Sequence, residues 1–270
     1  DLETAFLQYC NSVPFYGEVI LCADSPSLMN ISKNIKKPIV TYGTSPLADF
    51  RAVNIKYKAG KSFYNLVHNE KDFGQIIINA PGNHNVLNSL SAIALGLELN
   101  IHFDKLKSGI KNYKGVRRRF DIKENNSDIM VVDDYAHHPT EVNATISAAK
   151  AGWRKEIVSV FQPHLFTRTR DFYKEFAESL FQSDYIIITD IYPAREEPIK
   201  EISSKLIVKE LKRLGHQNII YIDNLIELNG TLDNLGLDNH MVITMGAGDI
   251  WRYNDKYNDH LIKKNRATKP

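Results

Sequence analysis

Residues 129–139, IMVVDDYAHHP, change abruptly from apolar to polar. The first four residues are apolar and mostly β-branched, which is typical of a strand buried on both faces. Pro139 and the apolar periodicity over residues 140–151 predict a helix directly after the polar segment. The two acids, the tyrosine and the two histidines are therefore expected at the carboxyl end of a strand, where open α/β sheets bind their ligands.

The same strand-to-helix unit recurs along the second half of the chain. Apolar runs predict strands over residues 129–133, 156–161, 185–190, 218–222 and 240–245, with helices over 140–151, 170–181, 203–214 and from about 249. Such alternation predicts a doubly wound, mainly parallel sheet with helices on both faces. The candidate ligand loops are therefore residues 134–139, 162–170, 191–198 and 246–249.

Residues 1–114 follow a different pattern. Helices are predicted over residues 2–10, 26–31, 84–99 and 103–111, and strands over 18–23, 38–42, 50–56, 62–67 and 75–78. Gly43, Pro46, Gly60 and Gly74 punctuate the extended runs, as is typical of turns. We expect an incomplete mixed α/β layer with an exposed edge or apolar patch, which would favour a homodimer. Because the chain opens at Asp1, inside an apparent helix, we expect it to be a fragment.

The composition is that of an ordinary folded protein. Of 270 residues, 43% are hydrophobic and 24% are charged, which excludes a disordered or fibrous chain. Lys and Arg number 34 against 32 Asp and Glu, and this near-neutral balance argues against a general binder of nucleic acid or membrane surfaces. Cys10 and Cys22 are too few for a disulfide framework and fit a reducing cytoplasm. Any basic site must therefore be local.

Gly60-Lys61-Ser62 invites comparison with a phosphate-binding loop. That motif needs a glycine five residues before the Gly-Lys pair, where this chain has Ile55, and a helix afterwards. Residues 62–67 instead alternate like a strand. The sequence therefore predicts a hairpin turn here and no phosphate-loop lysine.

Residues 81–88, PGNHNVLN, begin the long predicted helix of the first part of the chain. Asn85 and Asn88 are three residues apart and share a helix face. Their amides suit the donors and acceptors of a purine edge. Taken alone, capping by Asn83 and local hydrogen bonding are the simpler interpretation.

Two clusters of basic residues flank the acids and histidines. The arginines at 117–119 lie where the two patterns meet, and they form either a solvated face or a phosphate site. Residues 162–170 place one histidine and two arginines after a predicted strand, which suits a carboxylate or phosphate ligand. The alternative is that Arg170 pairs with Asp171 or a nearby acid and helps to begin a helix.

The segment 133–139 offers ligands for a metal or a nucleotide. No CxxC or HExxH pattern accompanies it, so no metal ligand is assigned from the sequence. The structural alternative is that Asp134 orders the turn and Pro139 starts the helix.

Four blocks together resemble the Mur ligases: PGNHNVLN at 81–88, RRFD at 118–121, DDYAHHPTE at 133–141 and FQPH at 161–164. They occur in the order and spacing of that family, and the resemblance covers essentially the whole chain. It implies that residues 1–114 are the latter part of a central ATP-binding domain. Residues 115–270 would be a C-terminal Rossmann-like domain that binds amino acid and nucleotide. The UDP-binding domain, the phosphate-loop lysine and most Mg²⁺ ligands would lie outside the chain, so we expect residues 1–270 alone to be inactive.

The resemblance also implies an activity in cytoplasmic peptidoglycan precursor synthesis. ATP, with Mg²⁺, phosphorylates the carboxylate of UDP-N-acetylmuramate, and the amine of L-alanine attacks the acyl phosphate. The implied site residues are His84, Asn85 and Asn88 beside the adenine, Arg119 and Asp134 as catalytic and nucleotide-contacting residues, and Tyr135, His138, His164 and Arg168 beside the amino acid or acyl phosphate. Leu165 stands where some members carry an arginine, whose contact would be lost or supplied by Arg168 or Arg170.

Two alternative functions stay open. A ligase that attaches a whole tripeptide to the same sugar nucleotide shares the type of block at residues 133–139. The block at 161–164 together with Thr167-Arg168-Thr169 favours the alanine-adding activity. The other alternative is a non-catalytic nucleotide-binding module.

Overall fold

The structure is a computed structural model that describes residues 1–58, 60–123 and 128–267. It divides into two compact units, Asp1–Lys114 and Gly115–Pro270. In chain order the first unit contains α1 (Leu2–Asn11), β1 (Val19–Cys22), α2 (Pro26–Ser32), β2 (Ile39–Gly43), β3 (Phe50–Lys58), β4 (Lys61–His68), β5 (Lys71–Ile78), α3 (Asn83–Glu98) and α4 (Phe103–Asn112).

The sheet of the first unit is mixed, as the sequence predicts. Its strands lie in the order β1-β2-β3-β4-β5, with parallel pairing from β1 to β3 and antiparallel hairpins from β3 to β5. Gly60 has φ 73° and lies in the turn between the paired residues Lys58 and Lys61, which confirms the predicted hairpin. The sequence predicts that β5 starts at Gln75, which is wrong, because the strand begins at Lys71. Gly74, with φ 84°, lies inside the strand beside a register shift and does not interrupt it.

Helix α3 covers one face of this sheet. Its buried residues Val86, Leu90 and Ile93 pack with Tyr64 and Leu66 of β4 in one hydrophobic cluster. The 3.6-residue apolar period of the sequence therefore describes the face that the helix buries. Large apolar side chains stay exposed elsewhere in the unit: Leu2, Phe6, Tyr9, Phe15, Tyr16 and Leu47.

The second unit alternates strands and helices. In chain order it contains β6 (Asp121–Lys123), β7 (Met130–Asp134), α5 (Pro139–Gly152), β8 (Glu156–Phe161), α6 (Phe166–Leu180), β9 (Tyr185–Thr189), α7 (Lys205–Arg213), β10 (Ile219–Ile222), α8 (Leu228–Asn234), β11 (His240–Met245) and α9 (Ile250–Ala267). The strand order is β10-β9-β8-β11-β7-β6, parallel throughout except for β6 against β7. The predicted doubly wound, mainly parallel sheet is confirmed; β6 and α8 were not predicted.

The two faces of this sheet bury alternate residues of each strand. In β8, Ile157 and Phe161 pack in the cluster that includes residues of α5, α6 and α7. Val158 and Val160 pack in the cluster that includes residues of α8 and α9. Because both faces are covered, the strands read as continuous apolar runs and not as alternating ones.

The loop after β11 passes very close to the loop after β8. A Cβ atom built on Gly248 would lie 2.4 Å from Oε1 of Gln162 and 2.5 Å from Cγ of Tyr192. The Gln162 side chain also accepts a hydrogen bond from the backbone N–H of Ile250 (3.1 Å) and donates one to Asp249 (2.9 Å). Glycine at 248 is therefore a steric requirement for bringing these loops together.

We expect Gly248→Ala to lower the free energy of unfolding by about 1–3 kcal/mol, because the added methyl group must push aside the amide of Gln162 and the ring of Tyr192. Urea denaturation of residues 1–270 measures the change. Gly152→Ala is the matched control, since a Cβ there meets nothing within 4 Å and alanine favours the helix. Equal stability of the Gly248→Ala and wild-type proteins would contradict the argument.

Candidate functional site

Asp134 is the last residue of β7, one position further along the strand than the sequence predicts. Its carboxylate accepts hydrogen bonds from the backbone N–H groups of Ala136 and Phe120, each 2.9 Å long. Burial raises the pKa of Asp134 to about 6, against the opposing effect of these N–H groups and of the charge on Arg119. The structural alternative from the sequence, that Asp134 orders the turn, is therefore confirmed, and the same carboxylate titrates close to neutrality.

Arg118 holds together the segment before β6 and two of the loops at this edge. Its Nη2 donates to the backbone oxygen of Gly246 (2.7 Å), and its Nε lies 3.4 Å from a carboxylate oxygen of the buried Asp133. The guanidinium carbon is 4.8 Å from the ring centroid of Tyr135, a cation–π contact. The sequence does not distinguish this arginine from Arg117 and Arg119, but its partners give it a structural role.

Arg119, in contrast, makes no comparable contact with a buried carboxylate or a loop backbone among the described residues. Its side chain is 53% exposed, its Nη1 lies 3.6 Å from Glu141, and its guanidinium is 5.6 Å from the Tyr135 ring centroid. Its ion-pair partner at the surface is therefore Glu141. Arg119 nevertheless lies near enough to Asp134 to lower the pKa of that carboxyl.

His138 is the N-cap of α5. Its Nδ1 accepts a long hydrogen bond (3.4 Å) from the backbone N–H of Thr140, while Glu141 accepts from the N–H of His138 (3.2 Å) and of His137 (3.0 Å). This reciprocal arrangement is a capping box. Although burial alone would raise the pKa of Glu141, these N–H groups, with the charges of His137 and Arg119, hold it below its usual value.

The substrate contact implied for His138 stays a prediction. The histidine that lies beside Tyr135 and His164 is His137. Its ring makes edge contacts with Tyr135 (centroids 5.1 Å apart) and with His164 (5.9 Å). The spacing of a potential cap three residues before Glu141 was the signal that would have separated the two histidines.

His164 and Arg168 form the basic part of the cluster. The ring of His164 stacks on that of Tyr192, with centroids 5.9 Å apart and planes 12° apart. Nδ1 of His164 and Nη1 of Arg168 are buried, and within the described residues neither has a hydrogen-bond partner. Burial, followed by the charges of Arg168 and His137, lowers the pKa of His164, so that its ring is neutral at pH 7.

The predicted loop over residues 162–170 is partly wrong, because α6 begins at Phe166. Arg168 therefore lies in the first helical turn, where its position is set by the helix. Arg170 pairs with Asp171 through two hydrogen bonds of 2.7 and 3.1 Å, which confirms the predicted pairing. It does not begin the helix, because α6 starts four residues earlier.

A separate cavity of about 300 Å³ lies within the first unit. It is lined by Ile78, Asn85, Asn88, Ser89, Ala92, Gly109, Ile110 and Tyr113. Asn85 and Asn88 thus share a face, as predicted, whereas the N-cap of α3 is Gly82 and not Asn83. Asn85 donates to the backbone oxygen of Pro81 (2.7 Å), and the exposed His84 lies beside its amide. Apolar walls with two amides at one side suit a flat heteroaromatic ring.

The described residues contain no group of three or more His, Cys, Asp or Glu side chains arranged to hold a metal ion. Among the helices of residues 1–58, 60–123 and 128–267, none is both long and apolar enough to cross a membrane.

Comparison with known families identifies the class of protein. Residues 1–96 match the Mur ligase middle domain, and residues 118–248 match the glutamate ligase domain of Mur ligases. The chain belongs to the Mur ligase family, and the resemblance of its four motif blocks is confirmed.

Particular relatives narrow the comparison. The chain is 42% identical over 255 residues to the UDP-N-acetylmuramate–L-alanine ligase of Geotalea uraniireducens, covering 93% of this chain and 55% of that protein. It is 40% identical to the enzyme of the same name from Salinibacter ruber, covering 95% and 54%. The fold matches that of the Thermotoga maritima UDP-N-acetylmuramate-alanine ligase MurC, with a TM-score of 0.77 at 24% identity over 99% of this chain and 55% of that one. The chain spans about half the length of these relatives.

The raised pKa of Asp134 gives a pH dependence of stability. Between its usual pKa near 3.8 and the folded value of about 6, the folded state holds a proton that the unfolded state has lost. The contribution of Asp134 is therefore fully present below pH 4 and falls by about 2–3 kcal/mol as pH rises through 6.

We expect the stability of Asp134→Asn, measured by urea unfolding between pH 4 and 7, to lack this decline. The exposed Asp259→Asn serves as the control and should follow the wild-type curve. Parallel curves for wild type and Asp134→Asn would show that the carboxyl titrates normally.

Proposed function

We propose that the complete protein is an ATP-dependent ligase that joins L-alanine to UDP-N-acetylmuramate. The observation that carries the proposal is the pair of buried nitrogens without partners, on His164 and Arg168, beside His137 and Tyr135. Buried polar atoms of this kind are costly unless a ligand satisfies them. A carboxylate or phosphate oxygen is the ligand that an arginine and a neutral imidazole suit. The names of the relatives at 35–42% identity support the particular substrates.

The cavity of the first unit is the proposed adenine site. Asn88 is exposed and has no side-chain hydrogen bond in the described chain, so its amide is available to a purine edge. Asn85, held by Pro81, lines the same wall, and His84 extends the polar rim. The fold also matches a MurF ligase of Thermotoga maritima solved in complex with ADP, at a TM-score of 0.74 and 16% identity over 96% of this chain and 57% of that one.

The remaining site residues are proposed to act in acyl-phosphate chemistry. Phosphoryl transfer from ATP to the sugar carboxylate gives ADP and an acyl phosphate; attack by the alanine amine then forms the amide and releases phosphate. Such chemistry depends on positioning and on charge stabilisation.

Arg119, half exposed and tied only weakly to Glu141, can turn toward a developing negative charge. Asp134 holds the turn that presents Tyr135, and the neutral His164 can take a proton from the attacking amine. Mg²⁺ is expected with ATP, and no described residue is assigned to it.

The test is phosphate release by the complete protein. We expect release to require ATP, UDP-N-acetylmuramate and L-alanine together, and residues 1–270 alone to release none above a buffer control. Replacing L-alanine by the tripeptide tests the alternative ligase, which attaches a whole tripeptide to the same sugar nucleotide. The fold of this chain also matches that of the murein peptide ligase of Psychrobacter arcticus, with a TM-score of 0.66 at 19% identity over 96% of this chain and 54% of that one. Preference for the tripeptide would favour that ligase, and ATP binding without any turnover would favour a binding module.

Arg119→Ala separates a catalytic arginine from a structural one. A charge-assisted contact made only in the transition state is worth about 1.5–3 kcal/mol, so turnover should fall roughly 10–150-fold. The melting temperature should change little, because an exposed ion pair such as that with Glu141 contributes about 0–1 kcal/mol. Arg117→Ala, at an exposed neighbour, is the control. Unchanged turnover, or activity lost through unfolding, would make Arg119 structural.

A further inference from the structure

Helix α6 begins without a cap of its own. Leu165 occupies the N-cap position with φ 71°, and no side chain at that position accepts a hydrogen bond from the first turn. The first N–H groups of a helix need partners from elsewhere, and the positive end of the helix dipole favours an anion there. Arg168 lies in this first turn. The group that accepts hydrogen bonds from the N–H groups of the turn therefore also fixes the position of the Arg168 guanidinium.

Glu196, in the loop between β9 and α7, supplies the missing cap. One of its carboxylate oxygens accepts from the backbone N–H of Thr167 (3.0 Å), and the other accepts a short hydrogen bond from the Thr167 hydroxyl. The Thr167 hydroxyl and then its backbone N–H hold the pKa of Glu196 below its usual value. A hydrogen bond from the N–H of Glu196 to the oxygen of Pro193 (3.0 Å) fixes the carboxylate on a tight turn.

The same loop also holds His164. Tyr192 donates from its N–H to the oxygen of Pro163 (2.8 Å) and accepts from the N–H of Leu165 (3.0 Å). Its ring stacks on that of His164. Residues 192–196 therefore contact the backbone on both sides of His164 and the first turn of α6.

We propose that Glu196 is a positioning residue that caps α6 from a separate loop and thereby holds Arg168 and His164 at one common anion site. The proposal rests on the proposed function, in which that site receives the carboxylate of the amino acid or the acyl phosphate. It also carries a geometric consequence: the protein's own carboxylate occupies the amino end of α6. A bound anion is then held by the side chains of Arg168 and His164 and not by helix N–H groups.

Kinetics of the complete protein test the positioning role. We expect Glu196→Ala to raise the KM for L-alanine about ten-fold, the size of one lost cap, and to lower kcat because His164 shifts as well, while the KM for ATP changes less than about two-fold. Glu196→Gln keeps an acceptor for Thr167 and should restore much of the loss. Thr167→Val removes the hydroxyl donor and should act in the same direction as Glu196→Ala. Glu197→Gln, at the exposed adjacent acid, should behave as wild type.

A second readout on residues 1–270 does not depend on activity. The charged groups that act on His164 are Arg168, His137 and Glu196, and only Glu196 raises its pKa. NMR titration of the His164 ring should therefore show a lower pKa in Glu196→Gln than in wild type, and no change in Glu197→Gln.

These readouts separate the two proposals. If L-alanine is not a substrate, the proposed function fails, and the His164 titration still decides whether Glu196 acts on this site. A His164 pKa that is unchanged in both Glu196→Gln and Glu196→Ala would overturn the positioning role, because neither the charge nor the cap from Glu196 would then act on His164. A Glu196→Ala enzyme that raises the KM for ATP and for L-alanine equally would also overturn it.

Discussion

The insertion of β11 between β7 and β8 is the constraint on which the second unit depends. Met245, the last residue of β11, pairs with Asp134 on one side and with Phe161 on the other. All three strands therefore end at the same level, and the loops that follow them meet at one edge. Without this strand, β7 and β8 would have no common neighbour. The contacts from Arg118 to Gly246 and from Gln162 to the start of α9 are consequences of that register.

The chain has almost balanced charge, so the pKa shifts at this edge of the sheet come from the burial of individual side chains where the loops pack together. Burial disfavours the charged forms of both Asp134 and His164, so that the pKa of the acid rises and that of the base falls. Both groups are thereby shifted toward their uncharged forms. The guanidinium of Arg118 is engaged in structural contacts, whereas Arg119 and Arg168 have N–H donors that remain available to a ligand. A short run of arginines thus contains different roles that composition alone does not separate.

Sequence patterns predict the features that are encoded locally. The buried strands of the second unit were predicted because both faces are covered and most positions are apolar. Strand β6 was not predicted, because Asp121-Ile122-Lys123 offers one apolar residue and pairs with a strand that follows it. The start of α6 was misplaced because its cap comes from Glu196, 29 residues away from Thr167. The two histidines show the same limit: the capping spacing of His138 is visible in the sequence, but the contact between His137 and His164 is set by the sheet.

Strand β6 also limits how far the sheet can grow. It runs antiparallel to its neighbour, is three residues long, and presents Lys123, which pairs with both Asp121 and Asp255. An outer strand that is short and charged is a poor template for the strand of another molecule. By contrast, β10 at the opposite edge, Ile219–Ile222, is almost entirely apolar. The two edges of this sheet therefore differ in their resistance to edge-to-edge aggregation. On the protected side the resistance comes from β6, a segment that adds very little to the hydrophobic core.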